Sequence, residues 1–263
     1  MTEPPTSGSA AEGLASRADH LLAETLAREA GEMLVAFRKE GFESRSNPWM
    51  LQDDADMAAH RFIVDRLAQE RPDDAVLSEE GHDDRTRLGQ RRVWIIDPLD
   101  GSNSFSARGA DDWAVHIALS IDGEPMCGAV SMPSVGDVAS TANPPEVPEV
   151  ESESPVVVVS RQTMRWHGQD LADALGARVI GFGSAGAKAM AVVRGSADAY
   201  FTDGGLYEWD SCAPVAVALA AGLHCSRLDG STPSYNNKQL FVPGLLICRP
   251  EMAEPILDLI EIR

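Results

Sequence analysis

The residues with chemical potential in this 263-residue chain are carboxylates at the ends of apolar runs. Trp94-Ile95-Ile96 leads straight into Asp97-Pro98-Leu99-Asp100-Gly101-Ser102. An apolar strand delivers Asp97 at its end, Pro98 interrupts the ladder, and the turn brings Asp100 back close to Asp97. Leu99 lies between them, so its carbonyl can face the same space. Two carboxylates and a carbonyl oxygen make a hard-oxygen site suited to Mg²⁺. Two aspartates so near each other repel at neutral pH unless a cation sits between them. The simpler alternative is an Asp-Pro/Asp-Gly surface turn, which fits poorly at the end of a strand that begins with tryptophan. Upstream, Ser78-Glu79-Glu80 closes another short apolar run; downstream, Glu208-Trp209-Asp210 opens an apolar helix. Alone, Asp210 reads more readily as a helix N-cap, the usual structural role of such a residue. Together, the three sets match the logic of a two-metal phosphatase.

Composition narrows the partners. Lys and Arg total 22 against 41 Asp and Glu, a formal charge of -19. Such a surface lacks the cations that displace counterions from nucleic acid or hold anionic lipid. It leaves room for a phosphorylated small-molecule substrate, because bound divalent cations invert the field within one pocket. The hydrophobic content of 44% is that of an ordinary globular protein. Cys127, Cys212, Cys225 and Cys248 form no CxxC pair and read as small buried hydrophobes. No secretory leader is visible, and no apolar run reaches the roughly 20 residues of a spanning helix. The expected location is a reducing cytoplasm.

These carboxylates must be positioned by regular elements. Residues 1–16 read as a mobile tail. Leu22, Leu26, Ala30, Met33 and Phe37 predict a helix to about Arg38, and Ala59, Ile63 and Leu67 one over Asp56–Glu70. Strands are expected at Ala75–Leu77 and Val93–Ile96. Alternation at Val115–Ile121 predicts a half-buried strand, with antiparallel partners at Met126–Ser131 and Val138–Thr141. Residues 17–142 thus form a helix pair plus antiparallel sheet carrying the metal site. Residues 143–155, with four Pro and four Glu, are an acidic connector. Residues 156–263 alternate strands with helices near 165–175, 185–194, 211–221 and from Met252, an α/β half with substrate-binding elements. The fold class is a layered α+β and α/β sandwich.

With these motifs in place, the chain resembles the inositol monophosphatase family. Val93–Ser102 is similar to its WIIDPxDGT signature, Leu77–Glu80 to its first acidic signature, and Trp209-Asp210 to its third. The likeness runs in order from Leu21 to Cys248. Asp111–Leu119, Gly183–Met190, Tyr207–Asp210, Arg227–Gly230 and Tyr235-Asn236 are most similar to the bacterial CysQ-type branch, the 3′-phosphoadenosine 5′-phosphate phosphatases. The resemblance implies metal ligation by Glu79, Asp97, the Leu99 carbonyl, Asp100 and Asp210, with Asp97 bridging two Mg²⁺. A third, weakly held ion near Glu79 is common in the family. It also implies that Asp56 and Ser102, which stands where the family has threonine, orient the attacking water, with Glu79 at the same catalytic centre. In-line hydrolysis of the 3′-phosphate of adenosine 3′,5′-bisphosphate, sensitivity to Li⁺ and a role in sulfur or nucleotide metabolism follow as expectations. Inositol 1-phosphate and fructose 1,6-bisphosphate are the alternative substrates. Dimers occur in the family, and nothing in the sequence marks an interface.

The substrate side is less sharply written. Gly181-Phe182-Gly183-Ser184-Ala185-Gly186 is a literal GxGxxG, which raises a dinucleotide-binding oxidoreductase as a rival. That reading leaves the three acidic signatures unexplained, as does a silent acidic scaffold. The favoured reading has the helix starting near Ala185 face the site and receive an anion at its N-terminus. Gly101, Ser102, Ser184, Gly186, Lys188, Asp229 and Tyr235 are the expected substrate-binding positions. Trp113 is a further candidate, as packing or as an adenine-facing group, and His116 reads as a core residue.

Overall fold

A computed structural model of the chain describes residues 14–44, 47–83, 85–149 and 154–261. Most of the tail expected at 1–16, and residues 150–153 of the connector, lie outside them. Two long helices come first, α1 (Arg17–Glu43) and α2 (Pro48–Glu70). Ser16 and Asp19 close a capping box on α1. Helix α2 starts well before the expected Asp56: Asn47 caps it and Pro48 occupies its first turn. The polar stretch 52–54 obscured that start, and it places Asp56 inside the helix rather than at its end.

The first sheet has the order β1 (Ala75–Ser78), β2 (Arg92–Asp100), β3 (Ala114–Ile121), β4 (Glu124–Met132), β5 (Asp137–Ser140). It is antiparallel except at β1, which runs parallel to β2. The second has the order β10 (His224–Ser226), β12 (Leu245–Cys248), β8 (Ala199–Thr202), β6 (Val156–Ser160), β7 (Arg178–Phe182). Short strands β9 (Leu206–Tyr207) and β11 (Phe241–Val242) pair separately. Neither was anticipated, since two residues show no periodicity. The remaining helices are α3 (Ser102–Ser106), α4 (Arg161–Leu175), α5 (Ala185–Val193), α6 (Glu208–Ala220) and α7 (Ala253–Glu261). Helix α4 begins four residues before the expected start because Ser160 caps it.

Three apolar cores show how the layers stack. In one, Leu26, Leu34, Ile63 and Leu67 of α1 and α2 meet Trp94, Ile96, Ile117 and Leu119 on one face of the first sheet. In the second, the opposite face, with Val93, Ile95, Ala114 and Ala118, meets α5 and α6, which also pack on Val158, Tyr200 and Ile247 of the second sheet. In the third, α4 and α7 cover that sheet's outer face around Val157, Val159, Leu246 and Ile256. Helices and sheets therefore alternate in five layers. The expectation of a half-buried β3 is corrected: every residue of it is buried. Both its faces are covered, and its polar positions, His116 and Ser120, are buried.

Gly128 on β4 lets α6 lie close to the first sheet. A Cβ there would stand 3.0 Å from the Ala216 Cβ and 3.2 Å from the Ala213 Cα. Gly128→Val should lower the unfolding free energy by about 1–3 kcal/mol, the usual cost of overpacking, as read by urea denaturation. Wild-type stability in that variant would mean that α6 does not depend on this contact.

Candidate active site

The acidic residues converge where β2 ends. A strand's side chains alternate between faces, so residues three apart should point opposite ways. Here Asp97 pairs with His116 and Asp100 with Ala114, so a bulge at Pro98-Leu99 absorbs the odd residue. Both carboxylates consequently face the same space. Asp210, at the third position of α6, joins them, and one oxygen from each of Asp97, Asp100 and Asp210 lies within 4.8 Å of the others. The Leu99 N–H donates to Asp97 Oδ1 at 3.0 Å, fixing that carboxylate. Tyr207, not Asp210, is the N-cap of α6; Asp210 sits at the third helical position, where its Oδ2 accepts the Tyr207 N–H at 2.6 Å while the residue remains in the cluster.

Glu79 follows β1 at the solvent edge of the cluster; partial burial raises its carboxyl, with Asp100 and Glu80 adding to that and Asp97 opposing it. Asp56 is buried on α2, and its Oδ1 has no hydrogen-bond partner, nor has Asp97 Oδ2. Burial, followed by Glu80, Glu79 and Asp53, pushes the Asp56 carboxyl up to about 8. Burial, then Glu79 and Asp100, holds Asp97 well above the ordinary carboxylate range. Burial, then Asp100, raises Asp210 to about 7. These groups carry more negative charge than one desolvated pocket tolerates without a cation.

Asp100 behaves differently. Burial opposes its charge too, but His116, Lys188 and Ser184 outweigh it and hold its carboxyl at about 2. His116 Nε2 lies 3.2 Å from Asp100 Oδ2 and its Nδ1–H donates to the Trp209 carbonyl at 3.2 Å. Burial pulls His116 down, and Asp100 more than offsets it, so the imidazole is raised. A lone histidine in an apolar strand gave no hint of this place between Asp97 and Asp100.

The glycine-rich segment also serves Asp100. The Ser184 hydroxyl and the Gly186 N–H, the latter at 2.7 Å, both donate to Asp100 Oδ2. The Gly183 N–H donates to Asp112 Oδ2 at 2.7 Å. The anion at this helix terminus is thus a protein carboxylate, which corrects the expectation that Ser184 and Gly186 spend these donors on substrate. Nor does the segment cradle a dinucleotide. A Cβ on Gly186 would fall 2.2 Å from His116 Nε2, so only glycine fits the close approach. Gly101 has φ +82 and turns the chain from β2 into α3, which presents half-buried Ser102 at its first position.

Lys188 is buried, donates to the Ser184 carbonyl at 2.8 Å, and sits over the Tyr200 ring at 5.3 Å. It lines a cleft that also contains Asp100 and Asp210. Asp229 and Tyr235 are not brought there. Asp229 is an exposed turn residue accepting the Ser231 N–H and hydroxyl, and Tyr235 belongs to the core between the sheets. Trp113 is fully buried against the Phe105 ring edge, a packing role. Glu208, beside the third signature, is structural: it accepts the backbone N–H groups of Asn236 and Asn237.

A sequence profile described as the inositol monophosphatase family matches residues 10–261. The chain belongs to the inositol monophosphatase family. It is 47% identical over 247 residues to the 3′-phosphoadenosine 5′-phosphate phosphatase of Mycobacterium tuberculosis, covering 87% of this chain and 88% of that one. It is 31% identical over 205 residues to the 3′(2′),5′-bisphosphate nucleotidase CysQ of Escherichia coli K12, covering 73% and 83%. Among solved structures it resembles Mycobacterium tuberculosis SuhB, with TM-score 0.70, 25% identity and coverage of 92% and 95%. Staphylococcus aureus inositol monophosphatase II shares the fold at TM-score 0.75 and 21% identity, covering 94% and 98%. Among the described residues no helix is long and apolar enough to cross a membrane.

The raised carboxyls link the site to stability. Asp56 and Asp210 are held protonated by the metal-free fold, a contribution fully present below the unfolded carboxylate value and lost as pH rises through about 7 and about 8. The melting temperature of chelator-treated protein should fall from about pH 4 to about pH 8, and Asp97→Asn should raise it at the alkaline end. Added divalent cation should restore most at high pH. A melting temperature that climbs over that window would contradict the crowding of these carboxylates.

Proposed function

We propose that this chain is a cytoplasmic, Mg²⁺-dependent phosphomonoesterase that removes the 3′-phosphate of adenosine 3′,5′-bisphosphate, giving AMP and phosphate. The sulfated nucleotide, 3′-phosphoadenosine 5′-phosphosulfate, is a second substrate of the same chemistry. The observation that carries this reading is the 47% identity, along most of both chains, to a protein named 3′-phosphoadenosine 5′-phosphate phosphatase. The acidic cluster supports it.

The donor set fits divalent metal. Asp97, Asp100 and Asp210 offer clustered carboxylate oxygens, Glu79 adjoins them, and the partnerless Asp97 Oδ2 is buried. These four, with the Leu99 carbonyl, would hold the metal. When bound, Mg²⁺ supplies Lewis-acid charge that makes water a competent nucleophile and offsets charge gathering on the phosphoryl group. The protein's own contribution is placement. Ser184, Gly186 and His116 fix Asp100 in its ionised form, an orienting shell behind the ligand. Helix α3 packs against α2, so the Ser102 hydroxyl and the Asp56 carboxylate come from adjoining helices to orient the attacking water. That water adds to phosphorus as the bond to the 3′-oxygen breaks. The four cysteines are free and buried, as suits a reducing compartment.

Phosphate release from purified protein tests the reading. Adenosine 3′,5′-bisphosphate should have a higher kcat/KM than inositol 1-phosphate or fructose 1,6-bisphosphate, and a chelator should abolish all three activities. Asp97→Asn should lose nearly all turnover while staying folded. Ser102→Ala should lower kcat by about 10²-fold, the scale of a lost proton-handling group. Li⁺ should inhibit where equal Na⁺ does not. A preference for inositol 1-phosphate would overturn the substrate and leave the metal chemistry standing.

A further inference from the structure

The cleft that reaches the acidic cluster extends along α4. It encloses about 460 Å³, within the range of small-ligand sites, and Asp100 and Asp210 are part of its lining. Thr163, Trp166 and His167 line it from α4. Their spacing of three and four residues places them on one helix face. Gly168 and Leu171 are the buried positions of α4, with Leu171, Ala172 and Leu175 in the outer core, so Trp166 takes no part in holding the helix down. Its side chain is 68% exposed. Among the described residues, the ring contacts involve other aromatics and leave Trp166 without an aromatic partner.

A large apolar ring open to a cleft with a carboxylate wall has a specific chemical meaning. The carboxylates, with cations, take the phosphate. A base-free ester such as glycerol phosphate then needs only hydroxyl-bonding groups and has no flat ring to lay on an indole. A purine base does use an indole face, because stacking is attractive whatever polar groups lie at the base's edge. Among the described residues, the other large ring lining the cleft, Tyr200, is buried beneath Lys188, and Trp113 and Tyr235 are locked in cores. Resting on the nucleotide reading above, we propose that Trp166 is the stacking wall for the substrate's purine base, and so the specificity-determining residue that separates nucleoside bisphosphates from base-free phosphate esters.

The test compares Trp166→Ala and Trp166→Phe with wild type on adenosine 3′,5′-bisphosphate and on glycerol 2-phosphate, a phosphate monoester without a base. Loss of stacking in Trp166→Ala should cut kcat/KM for the nucleotide by about 10-fold or more, mostly through KM. Glycerol 2-phosphate hydrolysis should stay unchanged, and Trp166→Phe should recover most of the nucleotide preference. In parallel, AMP added to Mg²⁺-loaded protein should quench tryptophan emission in wild type and fail to do so in Trp166→Phe. Equal losses on both substrates, no loss on either, or quenching that survives in Trp166→Phe would overturn the assignment. Failure of wild type to hydrolyse the nucleotide while it hydrolyses inositol 1-phosphate would instead sink the nucleotide reading itself.

Discussion

Mutual repulsion among Asp56, Glu79, Asp97, Asp100 and Asp210 is the constraint around which this molecule is organised. In a desolvated pocket like charges interact far more strongly than in water, because the surrounding dielectric screens them less. The chain meets the problem in two ways. Burial and mutual repulsion push Asp56, Asp97 and Asp210 toward the protonated form, a bias that bound cations would reverse. Asp100 is kept ionised by His116, the Ser184 hydroxyl and the Gly186 N–H. One member of the cluster is therefore already charged before metal arrives, and the others are poised to become so.

Much of the surrounding architecture can be read as support for that arrangement. The bulge at Pro98-Leu99 turns Asp100 to the side of Asp97, which a regular strand would not do. Helix α6 brings Asp210 in from the layer between the sheets, and Gly128 lets it lie close. Helix α5 from the same layer places its N-terminal donors on Asp100, and the absence of a side chain at Gly186 gives His116 room. Ser104 accepts the Arg161 guanidinium while Asp112 pairs with it at 2.6 Å, so the start of α4 is tied to the segment that follows the metal-binding turn. The two sheets meet through these contacts around the site, not only through their shared core.

This division of labour separates chemistry from selectivity. The groups nearest the cluster, including Ser184 and Gly186, are engaged with the Asp100 carboxylate. Residues farther along the cleft, on α4 and on the 202–206 segment, line its wall away from the carboxylates.

The sequence by itself determined the acidic signatures, the order of the helices and strands, and the family, because apolar periodicity and carboxylates at strand ends are local features written in consecutive residues. Asp97, Asp100 and Asp210 were legible as a set for that reason. The start of α2 at Asn47-Pro48 and of α4 at Ser160 carried capping signals that the polar residues after them obscured. Other features had no local signal at all. The full burial of β3, the place of His116 beside Asp100, and the use of Ser184 and Gly186 as donors to a protein carboxylate depend on pairings between residues far apart in the chain. The same holds for the seating of Tyr235 and Trp113 in cores and of Trp166 in the cleft. Only the tertiary structure decided these, because whether a polar or aromatic side chain meets water, a core or a carboxylate is set by which layer packs over it, and no stretch of sequence contains that layer.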